Sequence, residues 1–338
     1  MINPEKILKK ITLKLLAPFL KKKISTHSKP DWKRFKRVLI FRLDNKLGNA
    51  ILLLPLIQSI KKSVPDIKID VMYSVMYTQI FEDHPDINEI IHYKQQHLLK
   101  LPTRYIGFIK KIRKQKYDVI FSSTNSNSFS VSQALFANLL KSEFTIGFDW
   151  KESAELYSAV VKGNTQVHYS QAQVDLWRYF DINAEPQPPK IYFVQQGIGS
   201  SKTNQILFWI GATGNKILPQ KLFEDIIQFF KSNDLLYQLA AGPHDEHLLN
   251  FYSSVQKNDV IFMKGSIKDT ALFFNQYNMI FIPDTGPMHL AVAIGMPSVQ
   301  VFVNSNPVWY AYKGEKVFLI NKHLDSESLK IFTRNWFK

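Results

Sequence analysis

The sequence predicts an α/β chain built as two similar halves, each a parallel sheet covered by helices, and three observations carry that expectation. Short apolar runs alternate with amphipathic stretches from residue 37 onwards, the alternation halts at Glu185-Pro186-Gln187-Pro188-Pro189, and beyond that break it starts again. Runs that are apolar throughout suit strands buried on both faces, the condition of a parallel sheet between helices. A length of 338 residues accommodates two domains of ordinary size, and 45% hydrophobic with 21% charged residues is a globular composition.

The first element along the chain stands outside both halves. Between Lys6 and Ile24, Ile7, Leu8, Ile11, Leu15 and Leu16 share about half of a helical wheel while Lys6, Lys9, Lys10 and Lys14 take the other half. Pro18 interrupts this pattern one turn before Lys21-Lys22-Lys23. The stretch is too short and too charged to span a bilayer, and it lacks the apolar run and cleavage site of a secretory signal. Residues 1–37 hold ten Lys and two Arg against Glu5 and Asp31, so most of the net charge of +15 gathers here. Such a segment is expected to lie on anionic lipid, each near-surface Lys adding about 1 kcal/mol; packing on the protein's own body is the other reading. Charge concentrated at one end, with no Walker motif or nucleic-acid module, argues against a nucleic-acid partner.

In the first half, strands are expected at 37–43, 67–73, 89–92, 117–122 and 144–148, with helices at 49–62, 98–115 and 130–141. In the second, strands are expected at 206–210, 235–241, 260–263, 279–282 and 298–302, with helices at 220–231, 245–255, 268–276 and 288–294. Residues 1–30 are thus set apart as the basic segment, 31–190 as the first domain and 191–338 as the second, with the last helix free to pack back on the first. Open sheets of this kind bind ligands at the carboxyl ends of their strands, and two of them facing each other would share one cleft. There is no cysteine, so neither disulfides nor thiolate metal sites exist, in keeping with a cytoplasmic protein.

Three clusters fall at such strand ends. The first, Arg42-Leu43-Asp44-Asn45-Lys46-Leu47-Gly48-Asn49, leads from a strand into a helix; Gly48 is read as permitting a tight turn and Asn49 as a helix N-cap. The second, Gly211-Ala212-Thr213-Gly214-Asn215-Lys216, offers small residues for close phosphate approach, a hydroxyl on Thr213 and a cation on Lys216. The third runs from Asp284 to Pro297 as Asp284-Thr285-Gly286-Pro287-Met288-His289, then Ala291, Gly295 and Pro297. There a Gly turn is expected before a helix whose N-terminal amides favour a diphosphate, with Asp284 and Thr285 fixing the loop or binding ribose and phosphate. His289, one turn in, is read either as a phosphate contact or as a structural residue.

The pattern Asp-Thr-Gly-x-x-His-x-Ala-x-x-x-Gly-x-Pro, here from Asp284 to Pro297, resembles the nucleotide-binding signature of glycosyltransferase family 9, the ADP-heptose:lipopolysaccharide heptosyltransferases. Arg42-Leu43-Asp44 with Leu47-Gly48 and Pro55, the Lys216 to Pro219 pairing, and Leu239-Ala240-Ala241-Gly242-Pro243 are similar to that family's other conserved stretches, in the right order. The resemblance implies a GT-B fold of two Rossmann-like domains facing a central cleft. It also implies inverting transfer of heptose from ADP-L-glycero-D-manno-heptose to the lipopolysaccharide inner core, on the cytoplasmic face of the inner membrane. No cofactor or metal is implied, and no Asp-x-Asp occurs in the chain. Thr213, Lys216, Asp284, Thr285, Gly286 and His289 would hold the donor. The family's carboxylate after Leu-Gly falls on Asn49, which cannot take a proton, so Asp44 is the nearest candidate base. That substitution leaves open a catalytically weak or silent family member, or a transferase for a different sugar.

Overall fold

A computed structural model describes residues 30–94, 102–150, 156–193, 202–252 and 254–337. The basic segment ahead of residue 30 and most of the Gly- and Ser-containing stretch at 195–204 lie outside the described residues. The chain divides into two compact units, one comprising the residues up to Asn45 together with Leu52–Gln187, the other Lys46–Ile51 together with Pro188–Lys338.

The first unit is a six-stranded parallel sheet of Arg37–Phe41 (β1), Lys68–Ser74 (β2), Glu89–Tyr93 (β3), Val119–Ser122 (β4), Phe144–Phe148 (β5) and Ala159–Val161 (β6), in the order β3-β2-β1-β4-β5-β6. Val38, Leu39, Ile40 and Phe41 of the central strand have no exposed surface, as burial on both faces requires. The expected helix over 49–62 is two helices, Leu47–Ile51 (α1) and Leu54–Ser63 (α2). Pro55 has no N–H for the carbonyl of Ile51, and the chain restarts with amides of Leu56 and Ile57 both on the carbonyl of Leu53. Helices Pro102–Arg113 (α3), Val131–Leu140 (α4) and Tyr169–Arg178 (α5) complete the unit. Ser130 caps α4 by accepting from the amide of Gln133.

The second unit repeats the plan with Thr203–Trp209 (β7), Tyr237–Ala241 (β8), Val260–Phe262 (β9), Tyr277–Pro283 (β10), Ser298–Phe302 (β11) and Val317–Asn321 (β12), in the order β12-β11-β10-β7-β8-β9. Its helices are Gln220–Ser232 (α6), Ile267–Asn275 (α7), Gly286–Ala293 (α8), the single turn Pro307–Tyr310 (α9) and Ser326–Arg334 (α10). The helix expected at 245–255 is only a short 3-10 turn, Glu246–Asn250. Asp245 there turns back to accept the amide of Gly242, and Tyr252 stacks on Phe223 at 4.3 Å between ring centroids, so tertiary packing overrides the helical pattern. The last helix, α10, buries Leu329 in the second unit's own core.

In each sheet the strand order reverses beside the first strand: between β1 and β4, and between β7 and β10. These switch points are where open α/β sheets leave a crevice at their carboxyl ends.

Candidate active site

At the second unit's switch point the loops after β7, β10 and β11 converge. Asp284 ends β10 with its amide on the carbonyl of Val301, which keeps it in register with β11 and leaves its side chain 2% exposed. Lys216, from the loop after β7, reaches it with Nζ 2.8 Å from Oδ2. The same ammonium lies 5.2 Å from the centroid of the Tyr310 ring, beyond β11. Asp284 Oδ1 is buried and has no hydrogen-bond partner among the described residues. A buried carboxylate oxygen left bare costs on the order of 1–3 kcal/mol or more, a cost that a bound ligand donor would relieve.

Helix α8 starts two residues later. Its N-cap, Thr285, is extended and makes no side-chain cap; its hydroxyl donates instead to the carbonyl of Pro283 at 3.3 Å. The first turn thus keeps its positive end uncovered by its own cap and has no acidic residue. Gly286 is the first helical residue, not a turn residue, and its backbone angles need no glycine. A Cβ there would lie 3.1 Å from Cβ of Leu47, so close packing of α1 on α8 explains it.

The same contact corrects two expectations about the first cluster. Gly48 and Asn49 both lie inside α1, so Gly48 makes no left-handed turn and Asn49 is no N-cap. A Cβ on Gly48 would fall 2.6 Å from Cδ2 of His289, so glycine there leaves the imidazole its room against the helix. His289 is 4% exposed and has Nδ1 2.9 Å from the Tyr312 hydroxyl. Burial first, and the charge of Asp284 second, push the Tyr312 phenol far above its ordinary range, so it stays protonated. Asn49 is buried at 9% exposure.

Thr213 is exposed, at the start of the 3-10 turn carrying Lys216, and its side chain makes no cap. Gly214 in that turn has φ +59, a left-handed angle that glycine adopts without strain. The amide of Asn304 holds the turn by donating to the carbonyl of Asn215 at 2.7 Å. Next to it, Ser305 Oγ is a second buried polar atom without a partner among the described residues.

At the first unit's switch point, Asp44 is oriented from two sides. Arg42 Nε donates to Oδ2 at 2.5 Å and the Tyr73 hydroxyl to Oδ1 at 2.7 Å. Arg42, itself 4% exposed, also bridges to Asn125 beyond β4, 2.5 Å from Nη2 to Oδ1. A carboxylate offers about four lone-pair sites, so these two bonds orient Asp44 without in themselves removing it from proton transfer. Sequence reasoning missed Tyr73, Asn125, Ser305, Tyr310 and Tyr312. The signal for the last three was positional, since Asn304-Ser305-Asn306-Pro307 is the third strand-end loop flanking the switch point. Among the described residues, no three His, Asp or Glu side chains converge in a way that could hold a metal ion. None of the described helices is long and apolar enough to cross a membrane.

Two doubly wound parallel sheets in one chain, each with its own switch point, define the GT-B fold. The family model "Glycosyltransferase family 9 (heptosyltransferase)" matches residues 106–332, and the chain belongs to that family. It is 21% identical to lipopolysaccharide heptosyltransferase 3 of Escherichia coli over 286 residues, covering 78% of this chain and 82% of the relative. It is 23% identical over 341 residues to lipopolysaccharide heptosyltransferase 1 of Campylobacter coli, covering 88% and 95%. Among solved structures, a family 9 glycosyl transferase of Veillonella parvula superposes with a TM-score of 0.70 at 18% identity, covering 93% and 94% of the two chains. Heptosyltransferase WaaC of E. coli, solved with ADP, superposes with a TM-score of 0.68 at 16% identity, covering 88% and 99%.

Proposed function

We propose that this glycosyltransferase moves a heptose from ADP-heptose to the inner core of lipopolysaccharide, with inversion and without a metal ion, at the cytoplasmic face of the inner membrane. The observation that carries this reading is the half-paired carboxylate of Asp284 beside Lys216 at the second unit's switch point. Relatives described as lipopolysaccharide heptosyltransferases, and a structural neighbour solved with ADP, support the choice of donor and acceptor.

In this reading the second unit handles the donor. Lys216 Nζ has three donors, so it can keep Asp284 and still meet a phosphate oxygen. With the uncapped start of α8 at Thr285 and Gly286, it supplies the positive charge that the departing diphosphate needs. Thr213 adds a hydroxyl to the phosphate side, and Asp284 Oδ1 accepts a hydroxyl of the donor. His289, oriented by Tyr312, donates from Nε2 when Tyr312 donates to Nδ1. The first unit handles the acceptor: a bond forms from the acceptor oxygen to the anomeric carbon as the bond to phosphate breaks, and Asp44 takes the hydroxyl proton. Asn49, in place of a carboxylate, contributes hydrogen bonding only. The basic segment at residues 1–30 holds the enzyme on anionic lipid.

Calorimetric titration with ADP-heptose, beside a transfer assay on a deeply truncated core lipid, tests the proposal. Binding with turnover is expected. Absence of ADP-heptose binding would overturn the donor assignment, and binding without turnover would overturn Asp44 as base or the acceptor assignment.

A further inference from the structure

We propose that the folded residues of the first unit themselves carry a membrane-docking face, a basic surface along α3 and the amino edge of the sheet that fits anionic phospholipid headgroups. It extends the membrane assignment above beyond the amino-terminal segment, and does not depend on which sugar is transferred.

The face begins where the chain enters β1. The backbone of Lys36 is bonded to that of Lys68, whose amide donates to its carbonyl at 2.9 Å, and Arg37 in turn accepts the amide of Asp118 at 3.0 Å. Lys36 and Lys68 therefore stand side by side where β1 and β2 begin, strands about 4.8 Å apart, and Lys116 lies in the turn three residues ahead of β4; all three are exposed. Helix α3 links parallel β3 to β4 and so must run from the carboxyl edge of the sheet to this amino edge. Its Ile109 and Ile112 are buried in the core, while Lys110, Lys111 and Lys114 point outward. A surface lying along α3 meets both edges of the sheet, so docking there leaves the carboxyl edge within reach of a lipid-linked acceptor.

What makes the face basic is where its acids go. Asp70 is fully buried, taking Arg37, Tyr117 and Asn88. Asp118 spends one oxygen on the amides of Lys36 and Arg37, and Glu89 pairs with Arg37. The fold thus takes up Asp70 and Asp118 internally and leaves Glu89 half-buried between Arg37 and Lys111, while of the described acids near the row Asp66, Glu143 and Asp31 are exposed, the last paired with Arg34. Lysines spaced below the screening length of about 8–10 Å add their fields, which is how polybasic surfaces hold anionic membranes. Among the described side chains of α3 the exposed apolar one is aliphatic, Ile106, 52% exposed, where a single-stranded nucleic-acid site offers aromatic platforms for bases. The chain also leads into this edge directly from the lysine-rich residues 1–29.

The test is co-sedimentation of the full-length chain with phosphatidylglycerol vesicles, phosphatidylcholine vesicles and a single-stranded RNA, with neither donor nor acceptor present, so its outcome is independent of transfer activity. The variant Lys110→Glu/Lys111→Glu/Lys114→Glu is compared with Lys231→Glu/Lys264→Glu/Lys268→Glu, which makes the same charge change at exposed positions of the second unit. The expected result is salt-sensitive binding to phosphatidylglycerol alone, weakened about a hundredfold by the first variant and far less by the second. Equal loss in both variants, full binding in the first, or preference for RNA would overturn the proposal, and unchanged melting temperatures exclude misfolding as the cause.

Discussion

Among the described residues each unit buries one carboxylate beside a cation, and the two are treated differently. Asp70, on β2, has both oxygens taken: Oδ2 by Arg37 and Tyr117, Oδ1 by Asn88. Asp284, at the end of β10, has Oδ2 on Lys216 and Oδ1 bare. The first sits toward the amino edge of its sheet, where nothing but the protein can serve it; the second sits at a carboxyl edge, beside a switch point. The difference teaches how to read a buried charge: saturation by the fold marks a structural group, and an oxygen left over at a switch point marks a candidate ligand contact.

The comparison breaks if the two aspartates respond alike. Asp70→Ala leaves Arg37 with Glu89 and Gln115 alone, strips Tyr117 and Asn88 of their acceptor, and is expected to cost about 3–5 kcal/mol in urea unfolding, with transfer by the remaining folded molecules intact. Asp284→Asn is expected to leave the urea midpoint near wild type while transfer falls about a hundred- to a thousandfold, measured with ADP-heptose at saturating acceptor. Gly48→Ala drives a methyl into His289 and is expected to cost about 1–3 kcal/mol of stability and to weaken donor binding, measured by calorimetry. Alkaline titration sharpens the contrast from another side. Burial pushes Tyr93 and Tyr252 up to about 12, and burial with Asp70 pushes Tyr117 further. The unfolded chain loses these protons near pH 10 while the native state keeps them, so stability is full below about pH 10 and falls above it. The expected slope is about 1.4 kcal/mol per pH unit for each such tyrosine, read from urea midpoints between pH 9 and 11. The smallest effect belongs to Tyr312→Phe, which removes the partner of His289 Nδ1 and is expected to weaken donor binding several-fold, about one hydrogen bond's net worth.

Both sheets were legible because parallel strands buried on two faces write themselves as unbroken apolar runs, as Val38 to Phe41 do. The short edge strands β6 and β12 were missed because Ala159–Val161 is only three residues long, and because the apolar run Val317–Ile320 follows a loop with a single helical turn and not the amphipathic stretch that marks the other strands. The cluster from Asp284 onwards was legible as a strand-to-helix loop with Asp, Thr and Gly, and the structure brings Lys216 to Asp284 across 68 residues of sequence. What spacing could not reveal was the service of Gly48 and Gly286. Both look like turn formers in the sequence, and both are helical residues whose missing Cβ lets two helices touch. Nor could spacing show that Asp44 arrives already gripped by Arg42 and Tyr73, because the latter lies 29 residues away on another strand.

The six residues Lys46–Ile51 belong by connectivity to the first sheet's opening β-α unit, yet they pack with the second unit. The two halves are therefore not interchangeable cassettes. A second half cut from the chain at Pro188 would lack the glycine-bearing helix against which His289 rests, and a chimera that borrows a second half from a relative must borrow these six residues too. Recombination between such enzymes is thus constrained at a point well over a hundred residues upstream of the apparent seam.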